Sequence, residues 1–197
     1  MTERRTIELT DPRALRAVAH PMRLALVALL RREGPLTATR AGGLLGESAA
    51  SCSFHLRQLA KYGLVEEAGG GRGRERPWRA TATFTQLPRV AATPELEAAS
   101  ELLSAVIAER YFERVLRWVE RKAEEPAQWQ EASILGDAML YLTVEEFAQL
   151  GDAWWALLEP YFDRTEDATL RPPDARLVLF FAQAFPAPAE HGRGTAA

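Results

Sequence analysis

Between residues 11 and 82, helix starts and stops fall so close together that only short helices fit. Asp11-Pro12 supplies an N-cap followed by proline at the first helical position. Leu15, Val18 and Ala19 continue at helical spacing until His20-Pro21 interrupts them. A second helix is expected over 21–32, apolar at Leu24, Val27, Ala28 and Leu30, with Gly34-Pro35 to stop it. Thr37 caps a short helix to Leu45, Gly46-Glu47 turns the chain, and Ser48 caps the next helix, 49–62, which ends at Gly63. The period then changes. Residues 64–67 read as a strand, 69–74 as a glycine-rich loop and 76–81 as a return strand in which Pro77 suits a sheet edge. Two short helices in a tight turn followed by a hairpin predict a helix-turn-helix with a wing over 1–82.

Charge supports a division at the same place. The chain has a formal net charge of -3, but residues 1–90 sum to +7 and residues 91–197 to -10. Of its 17 aromatic residues only Phe54, Tyr62, Trp78 and Phe84 lie in the basic half. A basic half points to a polyanionic partner, and an acidic, aromatic-rich half points to a different task. One cysteine excludes an internal disulfide framework. With Cys52, His20, His55 and His191 as the only Cys and His residues, a structural zinc site of the usual composition is excluded as well. The first ten residues have no apolar core of the secretory kind, and the longest apolar run is broken by His20, Pro21 and Arg23, so a cytoplasmic location is expected.

Residues 83–93 read as a Thr/Pro-containing linker, after which Thr93 caps a long helix over 94–123. Its apolar stripe includes Leu96, Ala99, Leu103, Ile107, Val115 and Val119, over a length of roughly 44 Å at ~1.5 Å per residue. A stripe that long asks for a partner helix, which a second copy supplies, although packing within its own chain is the plainer alternative. Beyond Pro126 the pattern weakens: 133–142 fits a strand or a short helix. Thr143 with Glu146 makes a capping box for a helix to about Arg164, and 176–185 is an apolar run of β type. A strand-helix-strand unit is expected over 126–185 and a disordered tail over 186–197. The fold class is therefore mainly α with a small β content (α+β).

In the helix 49–62, Cys52, His55, Leu56 and Leu59 share one side at 100° per residue. Ala50, Phe54, Arg57 and Lys61 fall opposite, flanked by Ser51 and Ser53, with the cap Ser48 at the N-terminus. Short side chains let a helix approach base edges. Phe54 can meet thymine methyls, and Arg57 and Lys61 can reach phosphates or guanine. An ordinary amphipathic surface helix would show the same two faces. Arg72, Arg74 and Arg76 alternate on the glycine-rich tip with Arg79 behind them, placing guanidinium groups where a phosphate backbone or a narrow minor groove would lie. Cys52 and His55 at i+3 could be read as a nucleophile and base, but the inward face supplies no orienting acid. An intersubunit Cys52 pair could act as a redox switch, against which a buried thiol is usually inert. Trp118, Trp129, Tyr141, Trp154 and Phe180 suit a core, or an apolar pocket for a hydrophobic or aromatic small molecule between the long helix and the C-terminal unit.

The segments Ala19-His20-Pro21-Met22-Arg23-Leu24, Leu36-Thr37-Ala38-Thr39, Leu44-Leu45-Gly46-Glu47-Ser48, Ser53-Phe54-His55-Leu56-Arg57-Gln58-Leu59 and Gly63-Leu64-Val65 together resemble the winged-helix domain of ArsR-type bacterial transcriptional regulators, over residues 11–82. The resemblance implies a homodimer that binds a palindromic double-stranded DNA operator and changes affinity on sensing an effector. It also implies a recognition helix over 48–61 and a wing that includes 72–76. Two departures stand out. The Cys-x-Cys box of the family's metal sensors is replaced by Leu36-Thr37-Ala38-Thr39, and the long helix has no His or Cys, so no metal and no cofactor are expected. The region after residue 125 exceeds a minimal member. The resulting expectation is a sequence-specific DNA-binding regulator, a repressor without catalytic function. The alternatives are a winged helix used for protein contacts and an enzyme with an accessory winged helix; the second lacks any glycine-rich cofactor loop after residue 90.

Overall fold

The computed structural model describes residues 6–70, 76–86, 88 and 90–188. Four short helices come first. Helix α1 (Pro12–Val18) is capped by Asp11, whose carboxylate accepts from Arg13 N, and α2 (Pro21–Glu33) is capped by His20, whose ring accepts from Met22 N. Helices α3 (Ala38–Leu45) and α4 (Ala49–Ala60) are capped by the hydroxyls of Thr37 and Ser48. Each cap satisfies a backbone N–H that a helix start would leave unpaired, which is why four helices fit into fifty residues.

The core lies among these helices. Leu15 of α1, Leu26 of α2, and Cys52, Leu56 and Leu59 of α4 are fully buried. The inward face of α2 is Leu26, Val27, Leu29 and Leu30, with Leu24 only partly covered, a slightly rotated version of the face expected from spacing. Gly42 sets the approach of α3 to the following turn. A Cβ there would stand 2.5 Å from the Glu47 carbonyl oxygen, so only glycine lets the chain double back to start α4. Gly46, in the left-handed region at φ 72°, ends α3.

Strands β2 (Val65–Glu67) and β3 (Trp78–Ala80) pair antiparallel, with Val65 opposite Ala80. Leu36, ahead of α3, exchanges two backbone hydrogen bonds with Trp78 and ties the hairpin to the helices. This is the winged helix-turn-helix expected from the sequence. Two further strands were not foreseen: β1 (Thr6–Glu8) pairs in parallel with β4 (Phe84–Gln86), inside the segment read as linker. Arg31 of α2 fastens this sheet, its Nε donating to the Ala82 carbonyl oxygen at 2.9 Å and its Nη2 to the Thr85 hydroxyl at 2.7 Å. Burial pulls the Arg31 guanidinium down to about 10, with the nearby Tyr111 acting in the opposite sense.

Helix α5 (Pro94–Arg121), capped by Thr93, is one unbroken 28-residue element. Leu96, Ala99 and Leu103 pack into the core beside α1 and Ile107 lies partly buried against it, whereas Phe112, Leu116 and Val119 are exposed. Beyond it come α6 (Ala127–Glu131), α7 (Val144–Leu158) and α8 (Asp163–Glu166), with Thr143 and Glu146 forming the expected capping box. The helix expected to reach Arg164 stops at Leu158 and passes through a 3-10 turn at Glu159–Tyr161. The strand-helix-strand unit does not form. Residues 133–142 and 176–185 contain no strand, and among the described residues none past Leu103 is fully buried. The two apolar segments run on without helix, turn or bend and pair with nothing among the described residues. The tail read as disordered lies, from residue 189, outside the described residues.

Candidate nucleic-acid interface

The outward face of α4 is built by its inward one. Cys52, Leu56 and Leu59 anchor the helix with no exposed surface, and the 100° periodicity then turns Ala50, Phe54, Arg57 and Lys61 away from the core. Phe54 is 52% exposed, an unusual position for a phenyl ring on a helix whose other side is fully packed. Ser51 and Ser53 flank it, half-buried, and Ser53 Oγ accepts from Arg57 Nη1 at 3.1 Å, which holds the guanidinium along the helix. Ser48 spends its hydroxyl on the Ser51 backbone N–H at 3.1 Å. The N-terminal half of α4 therefore presents small polar groups, one aromatic and one oriented cation.

Behind α4, its buried side meets α2 through two imidazoles. The His20 and His55 rings lie 4.7 Å apart, centre to centre, and Phe54 meets His55 edge-on at 5.3 Å. His20 Nδ1 accepts from Met22 N at 3.1 Å, so that nitrogen carries no proton. His55 Nδ1 and Arg23 Nε are buried and make no hydrogen bond. Burial holds both imidazoles below their usual range; the charge of Arg23 adds to this at His20, and His20 followed by Arg23 add to it at His55, where Glu47 acts in the opposite direction. The periodicity placed His55 inward, but His20 as its partner was not read, because the pair joins residues thirty-five positions apart. Burial also pushes the Cys52 thiol up, with Glu47 adding to the effect, which makes it a poor nucleophile.

In the wing, Arg79 of β3 pairs with Glu66 of β2 at 2.7 Å, and Arg76, just ahead of β3, pairs with Glu67 at 3.0 Å. All four side chains are exposed, so the pairs contribute at most about 1 kcal/mol each and can yield to a phosphate. Sequence spacing identified these arginines but not the glutamates opposite them. Arg72 and Arg74 lie outside the described residues.

The residues read as an effector pocket are not brought to one place. Trp154 meets Phe180 at 5.9 Å, Trp129 sits under the Arg176 guanidinium at 4.8 Å, Trp118 lies beside Arg121, and Tyr141 is wholly exposed. The chain instead has an open cleft of about 250 Å³ between α5 and the segment near residue 182, lined by Ala108, Tyr111, Phe112, Val115, Phe181 and Gln183. Tyr111 and Phe181 stack at 4.4 Å at its edge. The cleft occurs in the expected region but with a different lining: Trp and Phe spacing within one element carries no information about which residues face each other across two.

Among the described residues, no group of three or more Cys, His, Asp or Glu side chains is arranged to hold a metal, and no helix is long and apolar enough to cross a membrane. No curated protein sequence matches this chain. A family model described as a helix-turn-helix domain matches residues 18–68, from the end of α1 through β2. The basic, N-terminal part of the chain is thus a DNA-binding helix-turn-helix domain of the kind used in transcription regulation, carried on a winged α+β fold.

Proposed function

We propose that this chain is a homodimeric, sequence-specific transcriptional repressor of the ArsR type that responds to a small apolar or aromatic effector. The observation that carries the reading is the exposed Phe54, set among Ser51, Ser53 and Arg57 on a helix held rigidly from behind. The phenyl ring meets His55 with its edge and leaves half its surface to solvent, and it has the chemistry to meet thymine methyls, while Arg57 and Lys61 reach guanine or phosphate. Residues 1–82 bind DNA, with Ser48, Ala50, Ser51, Ser53, Phe54, Arg57 and Lys61 in the major groove and Arg72, Arg74, Arg76 and Arg79 along the backbone. Helix α5 joins two copies, so that two recognition helices enter major grooves about 34 Å apart. The acidic 126–185 region stays off the DNA, and the cleft at Tyr111 and Phe181 supports the effector role.

If each subunit neutralises ~3 phosphates, log affinity falls with log salt at a slope near -5. The test is an operator titration over a range of salt with Arg72, Arg74 and Arg76 all changed to Ala. A weaker affinity with a shallower slope supports the wing assignment, and an unchanged affinity and slope refutes it.

A further inference from the structure

Resting on the homodimer reading, we propose that residues 134–142 of one chain form a strand on residues 177–185 of a second copy, and reciprocally, so that two chains close one shared sheet and core. The second segment is already positioned. Arg176 pairs with Glu125 at 2.8 Å and covers Trp129; Phe181 then stacks on Tyr111 of α5, and Phe180 meets Trp154 of α7. The run from 176 to 183 is thereby held extended between two helices, yet from 177 to 185 no backbone N–H or carbonyl is hydrogen-bonded among the described residues. Both its edges are open, and an extended segment with open edges is a template for another strand.

Residues 134–142 have the matching deficiency. Their backbone is likewise unpaired, and their side chains reach into solvent, with Met139 93% and Tyr141 106% exposed. The arm is rooted at Ser133, whose hydroxyl donates to the Gln130 carbonyl oxygen, and at the capping box of α7, so it is bounded at both ends and bare between them.

Area and charge select a second copy as the occupant. Among the described residues, eleven large apolar side chains of these two segments are exposed. At on the order of 100 Å² each they exceed both the roughly 300–600 Å² patch of a typical monomer and the roughly 800 Å² that one partner of a standard interface buries. Residues 177–185 contain no charge and 134–142 only Asp137, so neither edge offers anything to a charged partner. Each chain has one free arm and one unpaired segment to receive it, the self-complementary arrangement that a two-fold axis satisfies twice with the same contacts.

The test uses the full chain with Cys52→Ala as background. Two differently sized versions, one carrying Tyr141→Cys and the other Leu179→Cys, are co-expressed, treated with a short bismaleimide and sized, while sedimentation equilibrium gives the mass of the untreated protein. A two-chain mass with a covalent product joining the two versions is the expected result. A two-chain mass with no such product, while a single chain carrying both cysteines closes on itself, overturns the strand exchange and leaves the homodimer reading standing. A one-chain mass overturns the homodimer reading and the exchange with it.

Discussion

The imidazoles of His20 and His55 stand 4.7 Å apart at the point where α4 rests on the start of α2, with Arg23 beside them. Protonating His20 at Nδ1 would remove the acceptor that caps α2, and a charge on either ring would face Arg23. Both groups have lowered affinity for protons in the folded chain, so at mildly acid pH the unfolded chain binds more protons and stability rises with pH. The stabilisation is complete above about 6.5, the unfolded value, and declines as pH falls below it towards the folded values. Thermal melts between pH 5 and 8 should show this decline. In His55→Gln the slope through pH 6 should shrink, and an unchanged slope would show that the pair does not set the pH dependence.

Gly42 and Gly43 are adjacent in α3 and should respond oppositely to alanine. At Gly42 a Cβ would press on the Glu47 carbonyl, and relieving that contact means moving the turn, at about 1–3 kcal/mol. At Gly43 a Cβ meets nothing, and the loss of backbone freedom in the unfolded chain should stabilise by up to about 1 kcal/mol. Urea unfolding of the two variants decides this.

The opposite faces of α4 separate folding from binding. Leu56→Ala should cost about 2–5 kcal/mol of stability, because the side chain is wholly buried. Phe54→Ala should leave the melting temperature nearly unchanged and weaken DNA binding by about 10-fold or more.

These contrasts show what could be read from sequence. The caps at Asp11, Thr37, Ser48, Thr93 and Thr143 are local, each decided by a hydroxyl or carboxylate and the next few residues, so the helix starts were legible. So was the outward face of α4, since Cys52, Leu56 and Leu59 fix it by period alone. The β1–β4 pair was not legible: three-residue strands joined in parallel across 78 positions have no local signature, and the Arg31 contacts that fasten them are equally remote. The apolar run 176–185 has strand composition, but composition names no pairing partner.

Arg31 offers a check on that unforeseen sheet. Arg31→Met removes both donors and leaves the Ala82 carbonyl and Thr85 hydroxyl with water or nothing, at about 1–3 kcal/mol. Arg31→Lys should recover only part of this, because one ammonium cannot reproduce the two-pronged geometry. Chemical denaturation of both variants measures the difference.

On the proposed function, the outward face of α4 reads base sequence. The most direct measurement selects the preferred duplex from a random pool with the full-length protein, then compares its affinity with that of a scrambled duplex by fluorescence anisotropy, for the native chain and for Phe54→Ala with Arg57→Ala. The expected result is a selected sequence, a strong preference for it in the native chain, and loss of most of that preference, by about 10-fold or more, in the double variant. A pool that yields no preferred sequence, or a preference unchanged when Phe54 and Arg57 are removed, would contradict it.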